Sequence, residues 1–457
     1  MFCAGLLVLL LAPQDRFPAG DAPFPDFKKQ VDYLAWVEQT VRGGLKEDQN
    51  AGPLYEKLFP NLGASDIGAA SATDAAETLG FCGFHTCPVD ETEKDRWPGP
   101  WKPAEHPAWE RACEKTRPLM LELEKAARKP YYWLKPRFVA EGRIADRMLL
   151  NLSLAELSYF RASVRGVIEQ SWRSPEGKPD PRALVVACET GLGVAAQCGR
   201  YPLAVPRLVS IACRAIVYEH ALAALRRDAL SQADRTRLAA LLDQYPEQPF
   251  RLVYEGEAAN TYDALQVLNE RRLTIADLVP EARQFGPQAV DAPREAARVR
   301  QFLKEIDDVL ARPYTPAAKD MLAGCHDKLK QEAAASGGRA VTAAVLLAEL
   351  QRAYQLEQRV RCLAAGTRLT LALLAHRDRT GKWPAALDEL PEEVVKRCGT
   401  DPLCNRPFVY RLVDGEPMLY SVAQDCNDDG GKHDSKWADK QPGGDYVFWP
   451  PPKPGER

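Results

Sequence analysis

Three oxygen-bearing side chains alternate near the C-terminal end of the chain and are followed by a glycine. Asp425, Asn427 and Asp429 stand at every second position, and Gly430 comes next. This is the Asp-x-Asn-x-Asp-Gly opening of a calcium loop, in which the glycine allows the sharp turn that points successive oxygens inward. Calcium takes about six to eight oxygen ligands, and carboxylates crowded on a tight loop repel each other unless a cation lies between them. The spacing therefore predicts a calcium site.

The loop departs from the usual calcium pattern at its far end. An EF-hand closes its site with a bidentate Glu at the twelfth loop position, where this sequence has Lys436. Two further candidate ligands, Asp428 and Asp434, lie in the same stretch. The alternative interpretation is a solvated acidic hairpin loop that binds no metal.

No other group of residues indicates a reaction. The sequence has no His-Glu-x-x-His, no Gly-x-Ser-x-Gly, no phosphate loop and no dinucleotide fingerprint, and its six histidines are scattered singly. Glu255 and Glu257 flank Gly256 and suggest acid–base chemistry, but a turn with two solvated carboxylates also explains this pair. We therefore predict no catalytic residue and no organic cofactor.

A long helix precedes the acidic loop. Residues 341–379 repeat apolar side chains every three or four positions, which predicts one helix with a single narrow apolar stripe. We expect this stripe to pack on a sheet or on a partner helix. The opposite face is expected to be in water, and it carries Arg352, Glu357, Arg361 and Arg368.

After Pro384 the pattern becomes strand-like. Residues 407–413 and 417–422 read as strands joined at Asp414-Gly415, a strong hairpin-turn pair. Residues 446–449 are predicted to add a third short strand. A three-stranded antiparallel sheet lying on the long helix would bury the apolar faces of both.

The order of these elements resembles the soluble part of the major pseudopilin of type II secretion systems. After the helix come Gly381-Lys382-Trp383-Pro384, Asp401-Pro402 with Pro407-Phe408-Val409-Tyr410, the Tyr420-Ser421 strand and the acidic loop, together about a quarter of the chain. The resemblance implies that the loop is a calcium site closed by Asp445, just before the last aromatic strand. It also has a limit. A pseudopilin begins with a short leader and a membrane helix, whereas the equivalent helix here is internal and charged, which excludes an ordinary pilus subunit.

The rest of the chain is predominantly helical in pattern. Asp180-Pro181 is a sound helix start, and Ser231 to Asp234 resembles a capping box with Asp in place of the usual Glu. Four or five antiparallel helices with short turns indicate stacked helical hairpins, and residues 105–275 resemble an uncharacterised bacterial helical-hairpin module. The predicted fold class is mainly α, with a small α+β pseudopilin-like domain at the C-terminal end.

This interpretation divides the chain into five parts. We predict a signal or anchor segment at 1–20, an irregular and helical region at 21–104, the helical-hairpin domain at 105–275, a linker with helices at 276–336, and the pseudopilin-like domain at 337–457.

Composition and the N-terminal residues bear on location. A net charge of −3, with 27% charged residues, gives no general field for nucleic acid. Twelve cysteines are many for a cytosolic protein. Residues 2–12 form an apolar run too short to span a bilayer but matching a signal-peptide core, although no Lys or Arg precedes it. No internal segment is predicted to span a membrane. We expect an extracytoplasmic or envelope location, or a cytoplasmic one if the apolar run is not a signal.

These observations favour a non-enzymatic function. The predicted protein is an exported or envelope-associated scaffold that binds a protein partner in the envelope, with calcium stabilising its C-terminal domain. The alternative is an envelope hydrolase whose acidic site is assembled from residues far apart in sequence, including Glu255 and Glu257.

Overall fold

Helices dominate the computed structural model. It describes residues 21–59, 99–134, 137–138, 152–153, 156–271, 290–336, 347, 350–434, 437 and 443–450. The predicted signal segment, the linker at 276–289 and residues 341–346 of the predicted long helix lie outside the described residues.

The described helices are α1 (Tyr33–Arg42), α2 (Gly52–Leu58), α3 (Pro107–Ala127), α4 (Glu156–Ser171), α5 (Pro181–Gly199), α6 (Ala204–Arg226), α7 (Gln232–Gln244), α8 (Arg251–Arg271), α9 (Ala292–Leu310), α10 (Pro316–Ala335), α11 (Leu350–Thr380) and α12 (Glu392–Cys398). The described strands are β1 (Arg137–Phe138), β2 (Leu152–Ser153), β3 (Thr400–Asp401), β4 (Arg406–Pro407), β5 (Val409–Val413), β6 (Glu416–Ser421) and β7 (Tyr446–Trp449).

Helix starts in the hairpin region follow local capping chemistry. The Asp180 carboxylate accepts a hydrogen bond from the Arg182 backbone N–H, and Pro181 occupies the first helical position of α5. At the start of α7, the Ser231 hydroxyl accepts from the Asp234 N–H, while the Asp234 carboxylate accepts from the Ser231 N–H. Both predicted helix starts are confirmed.

The helices pack mainly on their neighbours in sequence. α5 and α6 form a hairpin, α4 lies against both, α3 packs on α5, and α8 packs on α9. By length and composition α6 alone among the described helices qualifies as a membrane span, yet 72% of its apolar window is buried inside the protein. Its apolar side chains therefore form the centre of the helical core.

The two carboxylates around Gly256 do not lie in a solvated turn. They lie inside α8, and Glu255 and Glu257 are 3% and 8% exposed. Glu255 accepts from the Ala22 N–H and pairs with Arg251, while Glu257 accepts from the Ala204 N–H at the start of α6. Burial raises the pKa of both carboxyls. The predicted turn was wrong, because each carboxylate compensates a buried backbone donor.

The C-terminal strands follow the sequence pattern. β5, β6 and β7 form an antiparallel sheet in that order, and the β5–β6 hairpin turns at Asp414 and Gly415, both with left-handed φ values of 53° and 85°. β3 and β4 form a separate antiparallel pair. The predicted fold class is confirmed: the protein is mainly α with a small α+β part at its C-terminal end.

Helix α11 lies on this sheet through a glycine. A Cβ atom on Gly366 would stand 2.2 Å from Cε1 of Phe448 in β7. The missing side chain lets the Phe448 ring pack directly against the helix backbone, so the sheet lies on α11 as predicted.

The opposite face of α11 is not in water as predicted. It packs on α6 and α7, and Glu357 is 3% exposed. The Glu357 carboxylate lies 3.1 Å from Nε of Arg207, which is buried in α6. Arg352 is exposed, whereas Arg361 and Arg368 are half-buried. The prediction failed because a charge on another helix, 150 residues earlier, neutralises Glu357.

Candidate metal site

The acidic loop is held between two paired strands. β6 ends at Ser421, which pairs with Tyr446 at the start of β7. The acidic loop follows β6, and Asp445 lies directly before β7. Pairing of β6 with β7 therefore brings Asp445 back to residues that are distant from it in sequence.

Two aspartates of the loop shape its backbone. The Asp425 carboxylate accepts from the Asn427 N–H at 3.1 Å. The Asp428 carboxylate accepts from the Gly430 N–H at 2.9 Å and from the Tyr420 hydroxyl at 2.8 Å. Such bonds from an Asp side chain to the second following N–H are local turns. Asp425 and Asp428 therefore stabilise local turns in the loop.

Asp445 is the most enclosed carboxylate among the described residues between β6 and β7. It is 0% exposed, and its Oδ2 accepts from the Gly431 N–H at 2.7 Å. Burial raises the pKa of Asp445 to about 6; the Gly431 and Asp429 N–H groups oppose the increase, and the negative charges of Asp428 and Asp429 add to it. A positive charge placed here would compensate the negative charges of Asp445, Asp428 and Asp429.

Two carboxylate oxygens in this region are buried without a hydrogen-bond partner. They are Oδ1 of Asp445 and Oδ2 of Asp429, among the residues that the structure describes. The other oxygen of Asp429 accepts from the Asn427 amide at 3.0 Å. Buried polar atoms without partners are costly and call for a cation, a water or a proton.

A calcium ion fits part of the predicted ligand set. Asp429 and Asp445 offer the unpartnered oxygens, and turning over the Asn427 amide would place its oxygen, instead of its nitrogen, beside the Asp429 carboxylate. Within the described part of the chain, no three His, Cys, Asp or Glu side chains converge into a group ready to hold a metal. Asp425 and Asp428 face loop N–H groups, and Asp434 is placed by a bond from its N–H to the Asp445 carbonyl. The remaining ligands would have to be backbone carbonyls and water.

Sequence reasoning missed a buried carboxylate that anchors the sheet. Asp401 is 1% exposed and accepts from the Ser421 hydroxyl at 2.6 Å and from the Leu403 N–H at 2.9 Å. Burial raises the pKa of Asp401, and these bonds, with thiol donors from Cys362 and Cys404, oppose the increase. Asp401 therefore ties the turn after β3 to the last residue of β6, from which the acidic loop departs. The Asp-Pro pair and the Tyr-Ser strand were visible in the sequence, but their contact was not.

Comparison of the chain with protein-family models, with curated proteins and with solved structures finds no match. The pseudopilin resemblance therefore stays a prediction.

Proposed function

We propose that this protein is a non-enzymatic, exported or envelope-associated scaffold whose pseudopilin-like C-terminal part is stabilised by calcium. Its helical hairpins would bind a protein partner in the envelope. The observation that carries the proposal is the pair of buried, unpartnered oxygens on Asp429 and Asp445. Glu255 and Glu257 both bind backbone N–H groups, so their placement adds no support to the hydrolase alternative.

Calcium is expected to raise the melting temperature of the full chain relative to chelator at pH 7. A ligand that binds only the folded state adds about 2.7 kcal/mol at a hundredfold excess over Kd. Extracytoplasmic sites bind with Kd values as weak as about 10⁻⁴ to 10⁻³ M, so millimolar calcium should be used. Magnesium is expected to substitute poorly because it holds its water shell and demands a tight octahedron.

Matched variants locate the ion. Asp429→Asn and Asp445→Asn should each remove most of the calcium effect, whereas Asp414→Asn, at the exposed hairpin turn, should keep it. Because the raised pKa of Asp445 means that its charge destabilises the calcium-free fold above about pH 6, Asp445→Asn should also melt above wild type in chelator. Equal wild-type melting in both buffers, with no heat of calcium binding by calorimetry, would show that the loop is only an acidic turn.

Export is tested separately from calcium. Residues 1–40 fused to a reporter that is active only outside the cytoplasm should give activity, because residues 2–12 match a signal-peptide core. Fusion protein found only in the cytoplasm, without reporter activity, would contradict this location. The partner would then be sought by co-purification from the native envelope.

A further inference from the structure

A cleft opens where the helical hairpins meet the C-terminal part of the protein. It lies between α7, the last three turns of α11 and the segment that includes α12, and its volume is about 640 Å³. Pockets for small organic ligands span about 300–1,000 Å³. The cleft is therefore large enough for such a ligand. It lies at the C-terminal end of α11, away from the acidic loop.

The floor of the cleft is apolar. Small and aliphatic side chains from all three helices line it, with no charge among them: Ala239, Leu371, Ala372, Ala375 and Val394. This surface would take the hydrocarbon part of a ligand, since burying apolar area is favourable by roughly 25 cal/mol per Å².

One end of the cleft carries two guanidinium groups that share a single carboxylate. Nη1 of Arg397 lies 2.6 Å from Oδ1 of Asp243, and Nε of Arg368 lies 3.5 Å from the same oxygen. Arg368 also donates to the Leu242 carbonyl at 2.6 Å, but its buried Nε has no hydrogen-bond partner among the described residues. The negative charge of Glu247 also acts on Arg368, but Glu247 lies 3.8 Å from Arg214 as well. The cations at this end therefore outnumber the carboxylates, and the Nε–H of Arg368 can donate to a ligand.

The other charged side chains that line the cleft change this excess of positive charge little. Arg235 is neutralised by Asp378 at 2.6 Å and by Asp228 at 3.2 Å, and Lys396 by Glu392 at 2.7 Å. About 12 Å further along α11 from Arg368, the buried Nδ1 of His376 also has no hydrogen-bond partner within the described chain. Arg379 and Glu393 also line the cleft, and their opposite charges add no net charge, so the excess positive charge lies at Arg368 and Arg397.

We propose that this cleft binds a small amphipathic organic acid. Its carboxylate would pair with Arg368 and Arg397 beside Asp243, and its apolar chain would lie over Ala372 and Leu371 toward His376. Guanidinium groups suit this task because they remain charged and match the geometry of a carboxylate. The assignment is independent of calcium and of the scaffold function.

Octanoate titrated into the full-length protein by calorimetry is the test. Octanoate should bind at least roughly tenfold more tightly than octanol or octylamine, as a charge-assisted hydrogen bond requires. Arg397→Gln should weaken octanoate binding to the level of octanol. Arg377→Gln is the matched control. Arg377 lies on α11, the helix that carries Arg368, but it stacks on Trp383 outside the cleft, so this variant should bind octanoate as wild type does.

Two further variants separate this site from a structural role. Asp243→Asn should tighten octanoate binding by about tenfold, since it frees both guanidinium groups from their competing carboxylate. Ala372→Phe should block octanoate by filling the floor. Each variant is first checked for a wild-type circular dichroism spectrum. Absence of binding at millimolar octanoate, equal binding of octanol, or octanoate binding that survives Ala372→Phe would each overturn the proposal.

Discussion

Replacing Glu357 with glutamine is expected to destabilise the protein by about 3–5 kcal/mol, because the change leaves the Arg207 guanidinium buried without its counter-charge. The two side chains are 4% and 3% exposed. Burial lowers the pKa of Arg207, and the negative charge of Glu357 opposes that decrease. The measurement is the free energy of unfolding in urea, with the slope compared to confirm that the same surface is exposed.

A surface pair provides the control for this prediction. Glu392→Gln breaks the ion pair with Lys396, whose two side chains are 77% and 65% exposed, and should change stability by less than about 1 kcal/mol. The double variant Arg207→Met, Glu357→Leu should recover most of the loss, because removing both buried charges also removes their desolvation cost. A Glu357→Gln protein as stable as the Glu392→Gln protein would contradict the buried-pair account.

Adding one methyl group at Gly256 is expected to cost at least about 3 kcal/mol, at the upper end of the usual cost of overpacking. A Cβ atom there would stand 1.3 Å from the carbonyl oxygen of Pro202, which is backbone and cannot rotate away. α8 would have to move away from the connection between α5 and α6. That movement would also pull Glu257 from the Ala204 N–H, to which it bonds at 2.7 Å.

Gly324→Ala is the matched substitution. Gly324 lies in α10, where an added Cβ would meet nothing within 4 Å. Alanine should therefore stabilise this helix by up to about 1 kcal/mol. Opposite signs in urea unfolding for the two Gly→Ala variants are the expected result. A Gly256→Ala midpoint equal to that of wild type would show that the close approach is not required.

The features that sequence patterns predicted correctly are those that depend on residues close together in the chain. The Asp414-Gly415 turn, the strands on either side of it and the caps at Asp180 and Ser231 follow from local hydrogen bonds and periodicity. The mainly helical class follows from the same kind of signal.

The failures share a different physical cause. Glu357 was expected in water because it lies on the face of α11 opposite the apolar stripe. Arg207 meets it there from another helix. Gly256 suggested a turn, whereas its role is close contact with Pro202. In both cases a residue distant in sequence decides the environment.

The candidate metal site combines a feature that local spacing predicts with one that depends on residues distant in sequence. Spacing alone singled out Asp425, Asn427 and Asp429, but the structure uses Asp425 for a local turn. It brings Asp429 close to Asp445 instead, which only the strand pairing of β6 with β7 makes possible. The pseudopilin resemblance, not the spacing, pointed to Asp445.

Helix α11 has a thermodynamic consequence for the whole chain. Its 31 residues contribute to two packing layers, one shared with α6 and α7 and the other with the C-terminal sheet. Neither layer should unfold while the other stays folded, because each would lose α11 as a packing surface. In addition, Arg207 of α6 would remain without its partner Glu357. The hairpin and C-terminal parts should thus unfold in a single cooperative transition, and an ion bound at the acidic loop would protect amide hydrogens in α5 from exchange as effectively as those in β6.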